Sequence, residues 1–388
     1  MNARSKAGPT MTPRLLLALA LLTPLGLTAQ NADPGYRLGI VSESGDIVTW
    51  LRPGDGTLTR DRVVPVGIMP ADIDGPHNIT VSPDQRFYYV SVAHGTPFGS
   101  LWKLDAGTDT LVGRAPLEMF PTTISLTPDG ELAFVANSDF YGDHPRVNVV
   151  SVVHTPTMST ITNLAACDMP HGVKVNHAGT LAYISCMNSD EVLEIEVATL
   201  RITRRAATGE AMKAMAGMDH GAMNHAPTPQ AAATTPAPAA PDHSCMPTFV
   251  SVSADDRTLY LACNHGNSLQ VWDAATLTQR SEIPLGAGAY NVEPSPDGRW
   301  IIVTNKKAQS FSLVDAQSLT EVVRIPTTKK IVHGVAYSPD GRYAFISQES
   351  IGADPGAVDM FDLTSRQVVA TIPIPAQPTG ITVLRTHP

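Results

Sequence analysis

The chain has 388 residues, of which 43% are hydrophobic and 6% aromatic, and a formal net charge of −9 at neutral pH. An acidic balance of this kind argues against nucleic-acid binding, which draws its affinity from phosphate neutralisation. Beyond residue 29 no run is apolar enough for a membrane helix, which argues against a spanning protein.

In chain order, residues 1–29 read as a secretory signal. Arg4, Lys6 and Arg14 precede the run Leu15-Leu16-Leu17-Ala18-Leu19-Ala20-Leu21-Leu22, and small residues follow up to Ala29. The apolar core is too short to cross a bilayer, and Met11 offers a second start that keeps a basic n-region. Removing this segment takes away three positive charges and no negative ones, moving the formal charge from −9 to −12. Residues 30–388 are then expected to form one exported domain, periplasmic or extracellular, with no membrane span.

From there a phrase recurs: an apolar run, Ser/Thr-Pro-Asp-Gly, and a second apolar run. It stands at Ser82-Pro83-Asp84, Thr127-Pro128-Asp129, Ser295-Pro296-Asp297 and Ser338-Pro339-Asp340, with degenerate copies at Asn176-His177-Ala178 and Ser253-Ala254-Asp255. The turn centres are 45, 49, 77, 42 and 43 residues apart. A period in the forties with a strand–turn–strand inside each unit predicts β-propeller blades. Third strands end in Asp-centred turns at Asp105, Asp273, Asp315 and Asp362. Six units run over 76–117, 120–164, 169–209, 246–286, 289–328 and 332–374. The segment from Pro378 to Val383 matches a first strand with nothing after it, and Tyr36 to Val66 holds three strand-like runs with none before them. Pairing the two predicts an all-β, seven-bladed propeller whose last blade joins the termini and leaves no open sheet edge.

The line Trp300-Ile301-Ile302-Val303-Thr304-Asn305 resembles the signature of the YVTN (YncE-like) propeller family, and Ala133-Phe134-Val135-Ala136-Asn137 and Tyr343-Ala344-Phe345-Ile346-Ser347 fit the same frame. The resemblance covers nearly all of the mature chain. It implies the fold but no single activity, because relatives include lactonase-like enzymes, haem-bearing propellers and binding scaffolds.

The repeat assigns residues to faces. Six residues before each turn centre stand His77, Thr122, His171, Thr248, Tyr290 and His333, with Thr379 at the matching place in the last blade. This position, on the face opposite the Pro-Asp-Gly turns, places three histidines where they converge on a metal ion or anion, or bond backbone at the blade entry as threonine does. His177 sits in a turn on the other face. Cys167 with Cys186, and Cys245 with Cys263, each flank one hairpin, so two intra-blade disulfides are expected. The rival is a soft-metal site that adds Met169, Met187, Met246 and His265.

The 77-residue spacing contains an insert, residues 210–243. It holds Met212, Met215, Met218, His220, Met223, His225 and His243, seven of the chain's 25 Met and His residues, before an Ala/Pro/Thr-rich stretch that cannot build a core. Thioether and imidazole suit Cu(I), and the segment resembles Met/His-rich stretches of bacterial copper-resistance proteins. The expected function is an exported, non-enzymatic binding protein. Its insert captures copper through Met212, Met215, Met218, His220, Met223 and His225, while His77, His171 and His333 serve a second metal or a protein partner. Two alternatives stand beside it. One is a lactonase-like hydrolase on the same face, with Glu349 and Asp143 as its few candidate acids; the other is a metal-free interaction scaffold. No nucleophile elbow, zinc-peptidase, dinucleotide or haem-attachment motif is present.

Overall fold

The computed structural model describes residues 1, 8, 33–67, 74–93, 99–138, 148–209, 244–350 and 354–386. From Asp33 onward it shows seven four-stranded antiparallel sheets, the blades of a seven-bladed β-propeller. The described residues include one 3-10 turn, Glu43–Gly45, and no α-helix.

Each repeated phrase builds its hairpin by the same local chemistry. Ser82 Oγ donates to Asp84 Oδ1 at 2.6 Å and accepts from Phe87 N at 2.9 Å, tying the turn to the second strand. Ser295 and Ser338 repeat the serine–aspartate bond at 2.6 and 2.5 Å. The last turn residue takes a positive φ at Gly130, Gly298 and Gly341, which explains the glycine. Second strands such as Leu181–Cys186 are buried almost throughout, whereas outer strands such as Thr320–Pro326 alternate exposed and half-buried residues. The difference follows from packing: an inner blade face meets a neighbour on both sides, and an outer strand meets one only partly. The apolar core therefore lies between blades, as where Phe134 and Val152 of the second pack on Ile184 and Leu193 of the third.

The inner strands are Pro76–Val81, Pro121–Leu126, Pro170–Val175, Pro247–Val252, Ala289–Pro294, Ile331–Tyr337 and Pro378–Arg385. The last pairs antiparallel with Tyr36–Ser42, and Ile47–Gly54 and Thr57–Pro65 complete that sheet. The expected closure of the ring by the two termini is what the structure shows.

Side chains seal every blade to the next at one carbonyl. Ser91 donates to Thr122 O (3.2 Å), Thr122 to His171 O (2.9 Å) and Ser185 to Thr248 O (2.8 Å). Thr248 then donates to Tyr290 O (2.5 Å), Thr304 to His333 O (3.2 Å) and Ser347 to Thr379 O (2.6 Å). Thr379 closes the circle on His77 O at 2.8 Å. Gly380 permits the close approach at this seam: a Cβ there would meet Asn78 Cα at 2.7 Å.

Both expected disulfides are present, Cys167–Cys186 and Cys245–Cys263, with Cα–Cα separations of 6.0 and 4.5 Å. This sets aside the soft-metal alternative with Met169, Met187, Met246 and His265, since thiolates are not available to it.

Candidate functional site

The position shared by His77, His171, Tyr290 and His333 follows a backbone device absent from the sequence pattern. In each of the seven inner strands the pairing register shifts there, as between Pro76 and Asn78 or between Pro170 and Val173. A bulge of this kind leaves a residue out of the ladder and re-aims its side chain. The result is a buried layer at one end of the central channel, with His77, His171 and His333 at 6%, 0% and 1% exposure.

The layer is a connected set of rings. His77 lies 5.5 Å from His333 between centroids, His333 lies 4.8 Å from Tyr290, and Tyr290 lies 5.5 Å from His171. Phe249 packs on His171 at 5.1 Å, and Phe120 on His77 at 5.3 Å. Tyr290 Oη is 3.2 Å from Nε2 of both His171 and His333. His171 Nδ1 lies 2.9 Å from Thr248 O, and His77 Nδ1 lies 2.9 Å from Glu43 Oε2.

These contacts fix the protons. The Thr248 carbonyl can only accept, so His171 carries its proton on Nδ1 and its Nε2 accepts the Tyr290 hydroxyl hydrogen. His333 Nε2–H then donates to Tyr290 Oη, which leaves the His333 lone pair on Nδ1. The Glu43 carboxylate likewise accepts from His77 Nδ1–H, leaving the lone pair of the neutral ring on Nε2. His77 Nε2 and His333 Nδ1 are buried and have no hydrogen-bond partner among the described residues.

Charge is supplied from the ends of the second strands. The register position that ends or directly follows each second strand holds Glu43, Ala93, Ser138, Met187, Asn264, Lys306 and Glu349, which places three charges on consecutive blades. Lys306 Nζ is 3.1 Å from Glu349 Oε1 and 4.2 Å from the Tyr290 ring centroid, and Glu349 Oε1 is 3.8 Å from His333 Nε2. Burial, aided by the charge of His77, pushes His171 down to about 3. Burial, with Lys306 and the other two histidines, holds His333 well below its ordinary value. Burial pushes Tyr290 up to about 12. Burial alone would depress Lys306, but Tyr290, Glu349 and Glu43 outweigh it and hold the ammonium above its usual value. At neutral pH His171 and His333 are therefore neutral imidazoles, standing beside the charged Lys306.

The structure brings together all three ring histidines named from sequence, and Glu349 with them. Backbone bonding at the blade entry holds for part of the position: Thr122, Thr248, Thr379 and His171 bond the next blade's backbone, while His77 and His333 do not. The roles of Glu43, Lys306, Phe120 and Phe249 were missed. Carrying the register past the turn to the end of the second strand would have found Glu43 and Lys306. Met212, Met215, Met218, His220, Met223, His225 and Asp143 lie outside the described residues. The two stems of the insert are described. A Cβ on Gly209 would stand 3.3 Å from Ser244 Cα. The Asp190 carboxylate accepts from Thr208 Oγ1 at 2.9 Å and from Met246 N at 2.8 Å, clamping both stems beside the Cys245–Cys263 bridge. His177 is held by Asp256 at 2.7 Å in the turn face, as expected.

Among the described residues, Cys167, Cys186 and Glu191 are the set of three ligand-type residues with atoms within 4.8 Å of one another, and there the sulfurs are already bonded to each other. The three imidazoles are thus not drawn together as a complete three-nitrogen shell.

A family model, the cytochrome D1 haem domain, matches residues 246–334, which include Tyr290, Lys306 and His333. A 6-phosphogluconolactonase of Yersinia enterocolitica is 28% identical over 183 residues, 46% of this chain and 51% of that protein; one of Yersinia pestis is 28% identical over 154 residues. The chain thus spans about half the length of the curated relatives it matches. Among solved structures, hydrazine synthase of Kuenenia stuttgartiensis superposes with a TM-score of 0.63 at 19% identity, covering 82% of this chain and 94% of that one. Dihydro-heme d1 dehydrogenase NirN superposes at 0.56 and 19%, covering 90% and 75%. A planar macrocycle does not fit between the rings of the layer, whose centroids are 4.8–5.5 Å apart from His77 through to Phe249. The chain is a seven-bladed propeller with distant similarity to haem d1-domain and lactonase-like propeller proteins.

Proposed function

We propose that this protein is an exported, YVTN-like binding propeller whose cargo is copper, captured by the Met/His insert and held at the histidine layer. The observation that carries the reading is the pair of bare, buried imidazole nitrogens, His77 Nε2 and His333 Nδ1, on adjoining rings. His77 also has the outer support typical of metal-binding histidines, since a carboxylate fixes its other nitrogen. His77 and His333 would hold the ion, with His171 beside them once it releases the Tyr290 hydroxyl. Cu(I) accepts imidazole and thioether alike and tolerates few ligands, so it suits both the layer and the insert. The disulfides agree with an oxidising compartment.

The test is Cu(I) titration of the full-length protein under reducing conditions against a competing chelator. His77→Ala and His333→Ala should each remove the tightest equivalent and leave the propeller folded, whereas Thr122→Ala should leave it in place. Unchanged stoichiometry and affinity in both histidine variants would overturn the layer as a copper site.

A second reading, a lactonase-like hydrolase, is favoured by the likeness to the Yersinia lactonases and by the proton-carrying chain from His333 through Tyr290 to His171. It predicts hydrolysis of 6-phosphogluconolactone above the uncatalysed rate, lost in Tyr290→Phe.

A further inference from the structure

The seven inner strands enclose a second space on the axis, a cavity of about 410 Å³ to which every blade contributes. Phe249 lines it and also packs on His171, so it stands between the cavity and the histidine layer. Turn residues His177 and Ser295 place the cavity on the Pro-Asp-Gly side. His177 is already paired with Asp256.

Three residues past the histidine position, five blades carry small side chains: Thr80, Ser125, Ser251, Ala336 and Thr382. The third and fifth blades carry Lys174 and Glu293 instead. These two meet past the intervening fourth blade, with Lys174 Nζ 3.0 Å from Glu293 Oε1 and 3.4 Å from Oε2. Both side chains keep about a third of their surface accessible (31% and 32%), and Ser251 Oγ donates to Glu293 Oε2 at 3.4 Å. A solvated pair of this kind adds little to stability, and five blades pack without charge at this position. The pair is therefore not demanded by the fold.

We propose that this cavity binds a small zwitterion of the α-amino-acid class, its carboxylate on Lys174 and its ammonium on Glu293. A simple anion or cation would match one of the two charges and leave the other without a counterpart, whereas a zwitterion matches both. Asn78 and Asn291 supply further polar groups on the wall, and Phe249 supplies an apolar surface for a side chain. The volume is in the range of pockets that take small molecules. The site is separate from the histidine layer and does not depend on the copper reading.

The experiment is calorimetric titration of the full-length protein with each of the twenty L-amino acids, and with acetate and methylamine as single-charge probes. At least one amino acid should bind saturably at millimolar concentration or below, and the two single-charge probes at least tenfold more weakly. Lys174→Met and Glu293→Gln should each weaken that binding tenfold or more. The exchanged double variant, Lys174→Glu with Glu293→Lys, should restore binding to within about tenfold of the original, which separates loss of the site from loss of the fold. Chelator-treated and copper-loaded protein should behave alike. Absence of saturable binding of any amino acid to the folded protein would overturn the proposal. So would single variants that bind as well as the original chain.

Discussion

Lowering the pH from about 7 to about 4.5 should destabilise the propeller through His171. The ring is fully buried and donates to Thr248 O, and burial holds its folded pKa near 3. In the unfolded chain the same imidazole titrates near its ordinary value of about 6.5. Below that value the unfolded state binds a proton that the folded state refuses. The stability this group confers is thus complete above pH ~6.5, falls as the pH drops, and stops falling near the folded pKa. Over the two units from about 6.5 to 4.5, the loss is about 2.7 kcal/mol, at 1.36 kcal/mol per unit. His333, also buried and depressed, shifts stability in the same direction. The assay is urea unfolding of chelator-treated protein at both pH values, for the original chain and for His171→Asn. Asn can still donate to the Thr248 carbonyl but cannot titrate, and the carboxylates elsewhere contribute equally to both chains. The variant should lose about 2–3 kcal/mol less between the two pH values. Equal losses would refute the claim that His171 is held neutral by burial.

Deleting Glu210 to Pro241 should leave the fold and thermal midpoint nearly unchanged, because Gly209 and Ser244 already stand side by side and the spacing of 77 falls to 45; the same deletion should lower Cu(I) stoichiometry and affect Zn(II) less, since zinc prefers imidazole and thiolate to thioether. Replacing Cys167 and Cys186 together with Ser should cost about 3 kcal/mol by the chain-entropy estimate for a loop closed over 19 residues. Denaturant unfolding measures that loss, and non-reducing peptide mapping should recover both linked pairs. Gly380→Ala should cost on the order of 1–3 kcal/mol, since the new methyl meets Asn78 Cα and His77 O at the seam. Gly107→Ala, whose nearest neighbour would be Asp105 Oδ1 at 3.4 Å, should be close to neutral by the same thermal assay.

The sequence by itself determined the blades, their number, the blade split between the termini and the register shared by His77, His171 and His333, and it favoured the cysteine pairing that the structure then decided against a soft-metal site. It did so because these are local matters. A Ser, Thr or Asn that caps its own turn, as Ser82 does through Asp84, a residue at positive φ closing that turn and an apolar strand on each side are written into the six complete units, and cysteines flanking one hairpin meet whatever the ring does. Only the tertiary structure decided what the shared register means. A bulge in each inner strand aims the histidines together, and closure of the ring brings Glu43, from the blade that joins the termini, onto His77 of the first. Lys306 and Glu349 reach Tyr290 and His333 for the same reason, and Lys174 meets Glu293 from 119 residues away. Such contacts depend on the angle between blades, a property of the whole closed ring that no single repeat records.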